Sequence, residues 1–144
     1  TALTTAGTEI TADIWFNAYG VTPNTAYLGG GDRHLEVTPE LRLPGSRNVF
    51  AIGDITAIPE LKMARLAQFH AEVAAANITA LIEGRDELTR YEPTPDAIVL
   101  PLGPAGGVSY APEAGVLGAD VTADIKGGLY LDMYLQLLGA EAVR

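Results

Sequence analysis

Gly53 and Asp54, near the middle of the chain, are of the types and in the setting to hold a polar ligand. A carboxylate accepts hydrogen bonds from ligand hydroxyls, each contributing about 1.5–3 kcal/mol when one partner is charged. A neighbouring glycine lets a ligand approach the backbone closely. Ahead of the pair, Val49 to Ile52 is a short apolar run bounded by turn residues, the pattern of a buried strand. Behind it, 60–83 reads as a helix, whose N-terminus would offer free N–H groups and a partial positive charge. The plainer reading of Asp54 is a residue that starts a turn or caps a helix.

The remaining candidates are fewer. His70 falls on the apolar stripe of the predicted helix and His34 on a short alternating stretch. Two histidines so placed do not make a metal site, and no carboxylate pair shows ligand spacing. Gly29-Gly30-Gly31-Asp32 is a loop, not a dinucleotide fingerprint, because no Gly-x-Gly-x-x-Gly stands between a strand and a helix. Trp15, Phe16 and Tyr19 read as core. Tyr130, Met133, Tyr134, Leu137 and Leu138 form a helical face for packing or a dimer interface. No Lys/Arg cluster flanks that face, so a peripheral membrane contact lacks its electrostatic half.

Several elements must position these groups. In the long helix Met63, Leu66, Ala67, His70, Val73, Ala74, Asn77, Ile78 and Leu81 recur at helical spacing. Pro59 and Glu60 suit its first turn, and Gly84 suits the position after its last. Residues 1–11 read as two strand ends about a glycine turn, and 12–20 as an apolar strand. Short strands are expected at 34–38 and 41–43. Residues 85–96, charged and carrying Pro93 and Pro95, resemble a linker. Beyond it come a strand over 97–103, a hairpin partner at 106–110, a loop or strand at 115–118, and a helix over 129–138 ended by Gly139.

Composition sets outer bounds. The 144 residues suffice for one ordinary domain, and the 48% hydrophobic, 19% charged balance is that of a globular chain. A net charge of −9 repels phosphate backbones and argues against nucleic acid as a partner. With no cysteine, the chain holds no disulfide, redox dithiol or thiolate metal site, which fits a cytoplasmic location.

Val49-Phe-Ala-Ile-Gly-Asp54 resembles the second flavin motif of the two-dinucleotide-binding-domain flavoproteins, the pyridine nucleotide-disulfide oxidoreductase superfamily. Lys62-Met63-Ala64, His70-Ala71 and Ala76-Asn77-Ile78 narrow the resemblance to the apoptosis-inducing-factor-like and ferroptosis-suppressor-like NAD(P)H:quinone oxidoreductases. Gly20, Pro23, Asn24 and Leu28 are similar to the crossover from the NAD(P)H domain back to the FAD domain.

The resemblance implies an α/β fold: the C-terminal fragment of an FAD/NAD(P)-binding, Rossmann-like flavoprotein with a small α+β C-terminal unit. Its parts would be 1–22, the end of the NAD(P)H-binding domain; 23–90, part of the FAD-binding domain; and 91–144, a hairpin-plus-helix unit. The start at Thr1 fits such a fragment. The resemblance further implies FAD as cofactor, NAD(P)H as co-substrate and a quinone or other small molecule as electron acceptor. Gly53 and Asp54 would hold the ribityl chain. Lys62, Met63 and Ala64, in the first helical turn, would face the pyrimidine edge of the flavin, and His70 could stand near flavin or quinone. No side chain need act as acid or base. Two rival readings are a cofactor-free assembly or dimerisation module that pairs with the missing N-terminal part, and a ferredoxin-reductase-like flavoprotein. The tail after Asp96 has no histidine, which argues against a dithiol reductase.

Overall fold

The computed structural model describes residues 1–17, 20–29 and 31–140. Ala18, Tyr19 and Gly30, parts of the predicted 12–20 strand and of the glycine loop, lie outside the described residues.

The chain opens with a small antiparallel pair, β1 (Ala2–Leu3) and β2 (Glu9–Ile10), as the two strand ends about Gly7 predict. The strand predicted over 12–20 does not form across residues 12–17. A strand needs a hydrogen-bonded neighbour, and none of the other elements pairs with this run. Trp15 and Phe16 are consequently exposed, Phe16 to 87%, and are not core.

The middle of the chain is a set of extended segments wrapped on one helix. Leu35 bridges Thr56 in parallel and Arg42 bridges Phe50 antiparallel. These single bridges replace the strands predicted at 34–38, 41–43 and 49–52. Pro39, Pro44 and the left-handed Leu41, at φ 64, break each extended run before a ladder can grow. Leu41 is nevertheless fully buried and, with Ala51, forms the floor of the core.

The helix α1 (Ala64–Ile82) supplies the opposite wall. It starts four residues later than predicted, so Pro59 and Glu60 precede it rather than occupying its first turn. Leu66, His70, Ala74, Asn77 and Ala80 are its buried face, the 3.6-residue period expected of a half-buried helix. Ile78, placed on the predicted stripe, is exposed and Ala80 takes its place. Gly84 follows at φ 73, where the helix ends.

The segment 85–96 is not a free linker. Asn77 bonds both backbone groups of Thr89, the Arg85 N–H donates to the Ala80 carbonyl, and the Tyr91 N–H donates to the Pro39 carbonyl. These bonds strap the segment across α1 and bury the Tyr91 side chain in the core.

Beyond it β3 (Ile98–Pro101), β4 (Gly107–Ala111) and β5 (Gly115–Leu117) form an antiparallel sheet in chain order. A helix α2 (Ala119–Lys126) covers one face. Its Asp120 and Lys126 suit the two ends of the helix dipole, a signal the sequence reading passed over. The last helix, α3 (Leu131–Leu137), begins two residues later than predicted because Leu129 and Tyr130 are left-handed. Gly139 follows it at φ 63.

Candidate functional site

Gly53 to Ile55 form one tight 3-10 turn at the end of the apolar run. Gly53 has φ 71, a conformation that costs L-residues and not glycine. A Cβ there would meet the Ala67 Cβ at 3.4 Å, so the turn lies directly against α1. The Thr56 N–H and hydroxyl both donate to the Gly53 carbonyl, at 3.1 and 2.9 Å. Asp54, next in the turn, is exposed and has no intramolecular partner among the described residues. A structural capping aspartate would bond the N–H groups behind it; this carboxylate is left to solvent or a ligand.

Lys62 and Met63 precede α1, and only Ala64 lies in its first turn, a correction to the predicted placement. The Lys62 ammonium donates to the Ile58 carbonyl at 2.8 Å, closing the loop between the turn and the helix. The Leu66 and Ala67 N–H groups both turn to the Met63 carbonyl. Among the described residues the N–H groups of Ala64 and Arg65 have no backbone acceptor, which leaves the positive end of the helix dipole open. The chemistry on offer is therefore a free carboxylate for hydroxyls and a helix N-terminus for partial negative charge. These groups fit a ligand with a polyol chain and an electron-rich ring edge.

A cavity of about 440 Å³ opens beside this end of α1. Met63, Ala64, Val99, Lys126, Tyr130 and Tyr134 line it, so the C-terminal unit forms its far wall. Lys126 lies 5.9 Å from the centre of the Tyr130 ring, a cation–π contact.

Under the turn lies a buried polar chain that sequence reasoning found only in part. His70 Nδ1 accepts the Gly53 N–H at 2.9 Å. Its Nε2 lies 2.7 Å from Glu60 Oε1, close but without hydrogen-bond alignment. The Tyr91 hydroxyl donates to Glu60 Oε2 at 2.7 Å. The Tyr91 ring stands edge-on to the imidazole, centroids 4.3 Å apart at 86°. Burial first, then the hydrogen bond to Glu60 and the charge of that carboxylate, push the Tyr91 pKa up, with Arg65 opposing. Tyr91 therefore stays protonated and remains a donor. Glu60 was read as a helix-dipole residue and Tyr91 was not singled out; a buried acidic residue can find its partner only through the tertiary fold.

Among the described residues no group of three or more His, Cys, Asp or Glu could hold a metal ion, and no helix is long and apolar enough to cross a membrane.

No protein-family model matches the chain. Individual relatives do. The chain is 32% identical, over an alignment of 145 positions that takes in 94% of the chain, to apoptosis-inducing factor homolog B of Dictyostelium discoideum, of which it covers 38%. It is 32% identical over 117 residues, 76% of its length, to an FAD-dependent oxidoreductase of Flammulina velutipes, of which it covers 37%. It is 33% identical over 112 residues, 73% of its length, to human ferroptosis suppressor protein 1, of which it covers 30%. The chain thus spans about a third of the length of these curated relatives. It belongs to a family of FAD-dependent oxidoreductases. Within that family it corresponds to the C-terminal part of the apoptosis-inducing-factor-like and ferroptosis-suppressor-like members.

Proposed function

We propose that the chain is the C-terminal portion of an FAD-dependent NAD(P)H oxidoreductase of Rossmann-like architecture, and that Gly53, Asp54 and the N-terminal end of α1 form its part of the flavin site. The observation that carries this reading is the exposed, unpartnered Asp54 on a turn packed against α1. FAD would supply the redox chemistry, taking hydride from NAD(P)H and passing electrons to a quinone or another small acceptor.

The chain's own residues do the rest. The Asp54 carboxylate accepts a ribityl hydroxyl, and the left-handed Gly53 keeps the backbone free of a side chain at that point. The open N–H groups of Ala64 and Arg65 favour negative charge at the flavin's pyrimidine edge. Met63 contributes wall to the adjoining cavity, where the acceptor would enter. Lys62 acts as a brace for the loop through Ile58, not as a charge on the flavin. The proposed setting is cytoplasmic.

The test is the visible spectrum of the longest natural polypeptide containing this chain, before and after NADH. A flavin spectrum bleached by NADH is the expected result; a colourless protein would sink the reading.

A second reading, an assembly or dimerisation module, is favoured by apolar side chains left in solvent, among them Ile14, Phe16, Leu137 and Leu138. The mass of the purified 144-residue chain in solution tests it: a dimer supports this reading and a monomer removes it.

A further inference from the structure

We infer that His70 is the positioning residue of the Gly53-Asp54 turn, packed against the buried Glu60–Tyr91 pair. The inference rests on the flavin reading of Asp54.

Gly53 is fixed at both ends of its backbone. Its carbonyl takes two bonds from Thr56, and its N–H goes to His70 Nδ1. That N–H is directed at α1, and the acceptor it meets is the His70 imidazole on the second turn of the helix. Asp54 is the next residue, so the imidazole plane sets where its carboxylate stands relative to the open end of α1.

The imidazole is itself held by chemistry that fixes one tautomer. Nδ1 accepts from Gly53, so the neutral ring carries its proton on Nε2, which lies 2.7 Å from Glu60 Oε1 but is not aligned for a hydrogen bond. Glu60 is held in turn by the Tyr91 hydroxyl at 2.7 Å, and the Tyr91 ring packs edge-on to the imidazole. The His70 and Glu60 side chains are 2% and 1% exposed. A wholly apolar packing would fill this space with less desolvation cost. What the polar chain adds is a defined direction for one N–H acceptor beneath the proposed ligand turn. It also ties the strap 85–91 to that turn, because Tyr91 sits at the strap's end.

The test uses the longest natural polypeptide containing the chain, with FAD as the probe. The wild type is expected to show an unprotonated Nδ1 at His70 by nitrogen-15 NMR. H70L removes the acceptor and should raise the FAD Kd about tenfold or more and change the visible circular dichroism of bound flavin. H70N places an amide oxygen where Nδ1 stood and should return the Kd to within about threefold of wild type. An H70L protein with wild-type Kd and dichroism, an H70N protein as weak as H70L, or a protonated Nδ1 would each overturn the inference.

If H70L does not fold, H70N carries the test alone: it keeps an acceptor for the Gly53 N–H, and an H70N protein that folds yet binds FAD about tenfold or more weakly than wild type overturns the inference. A wild type that binds no FAD overturns the flavin reading and this inference with it. A wild type that binds FAD with indifferent variants overturns this inference alone.

Discussion

Asn77 Oδ1 accepts the Thr89 N–H at 2.7 Å while Asn77 Nδ2 donates to the Thr89 carbonyl at 2.8 Å. The same Nδ2 donates to the Glu40 carbonyl at 3.1 Å, and the side chain is fully buried. One amide thus satisfies backbone groups of two segments that no sheet ladder pairs. Asn77→Ala takes the partner from the Thr89 N–H, the Thr89 carbonyl and the Glu40 carbonyl, and leaves a gap where a fully buried amide stood. The expected loss is about 1–3 kcal/mol. A denaturant titration of the 144-residue chain reads it. A loss under about 0.5 kcal/mol, typical of a surface change, would mean the strap is not held here.

Asp54 makes the opposite prediction. It is exposed and unpartnered, so Asp54→Ala should leave the melting transition within about 0.5 kcal/mol of wild type. The proposed ligand bond is worth about 1.5–3 kcal/mol, so the FAD Kd of the longer natural polypeptide should rise roughly tenfold to a hundredfold. Unchanged affinity would remove Asp54 from the site.

These two residues also show what the sequence could and could not reveal. Asp54 was legible because local signals agree around it: an apolar run, a glycine, an acidic residue and a helical period. Asn77 was legible only as a stripe position, since nothing near it in the chain names Glu40 or Thr89 as partners. The same holds for His70, legible as a position on the apolar stripe, whose partners lie 17 residues away at Gly53 and on either side of α1 at Glu60 and Tyr91. The strands at 34–52 were overcalled because alternation marks which residues are extended, not whether a neighbour is there to pair with them. The helix start was placed at Pro59 and Glu60 on capping chemistry, but Glu60 is taken by His70 and Tyr91 instead, and the chain turns helical only after Met63.

Tyr91 carries a pH prediction. Its folded-state pKa lies above the 10.0 of free tyrosine, through burial first and the Glu60 contact second. The unfolded chain therefore loses this proton before the folded one does. The stability Tyr91 contributes is whole below pH 10 and falls as pH rises toward the folded value. Its share of the slope is at most about 1.4 kcal/mol per pH unit. Tyr91→Phe should lower stability at neutral pH by about 1–3 kcal/mol, because Glu60 Oε2 loses its donor. The variant should also lose stability less steeply than wild type between about pH 10 and 12. Parallel urea midpoints for the two proteins across that range would contradict the assignment.

In the C-terminal unit, Ser109 Oγ and Thr122 Oγ1 lie 2.7 Å apart, both buried, joining β4 to α2. Thr122 Oγ1 also donates to the Gly118 carbonyl at 2.9 Å. A hydroxyl has one proton, so Thr122 spends its own on Gly118 and Ser109 must donate to Thr122. Thr122→Val keeps the shape and removes the acceptor, leaving a buried serine hydroxyl unpaired. The cost should be about 1–3 kcal/mol, read as lost hydrogen-exchange protection of the β3, β4 and α2 amides. Adding Ser109→Ala to that variant removes the orphaned hydroxyl and should recover part of the protection, since deleting both partners of a buried bond is far cheaper than deleting one. Ser109→Ala alone should cost less than Thr122→Val, because the Thr122 proton keeps its partner in Gly118. The reverse order of the two single variants, or a double variant worse than their sum, would contradict a Ser109-to-Thr122 hydrogen bond that stabilises the unit.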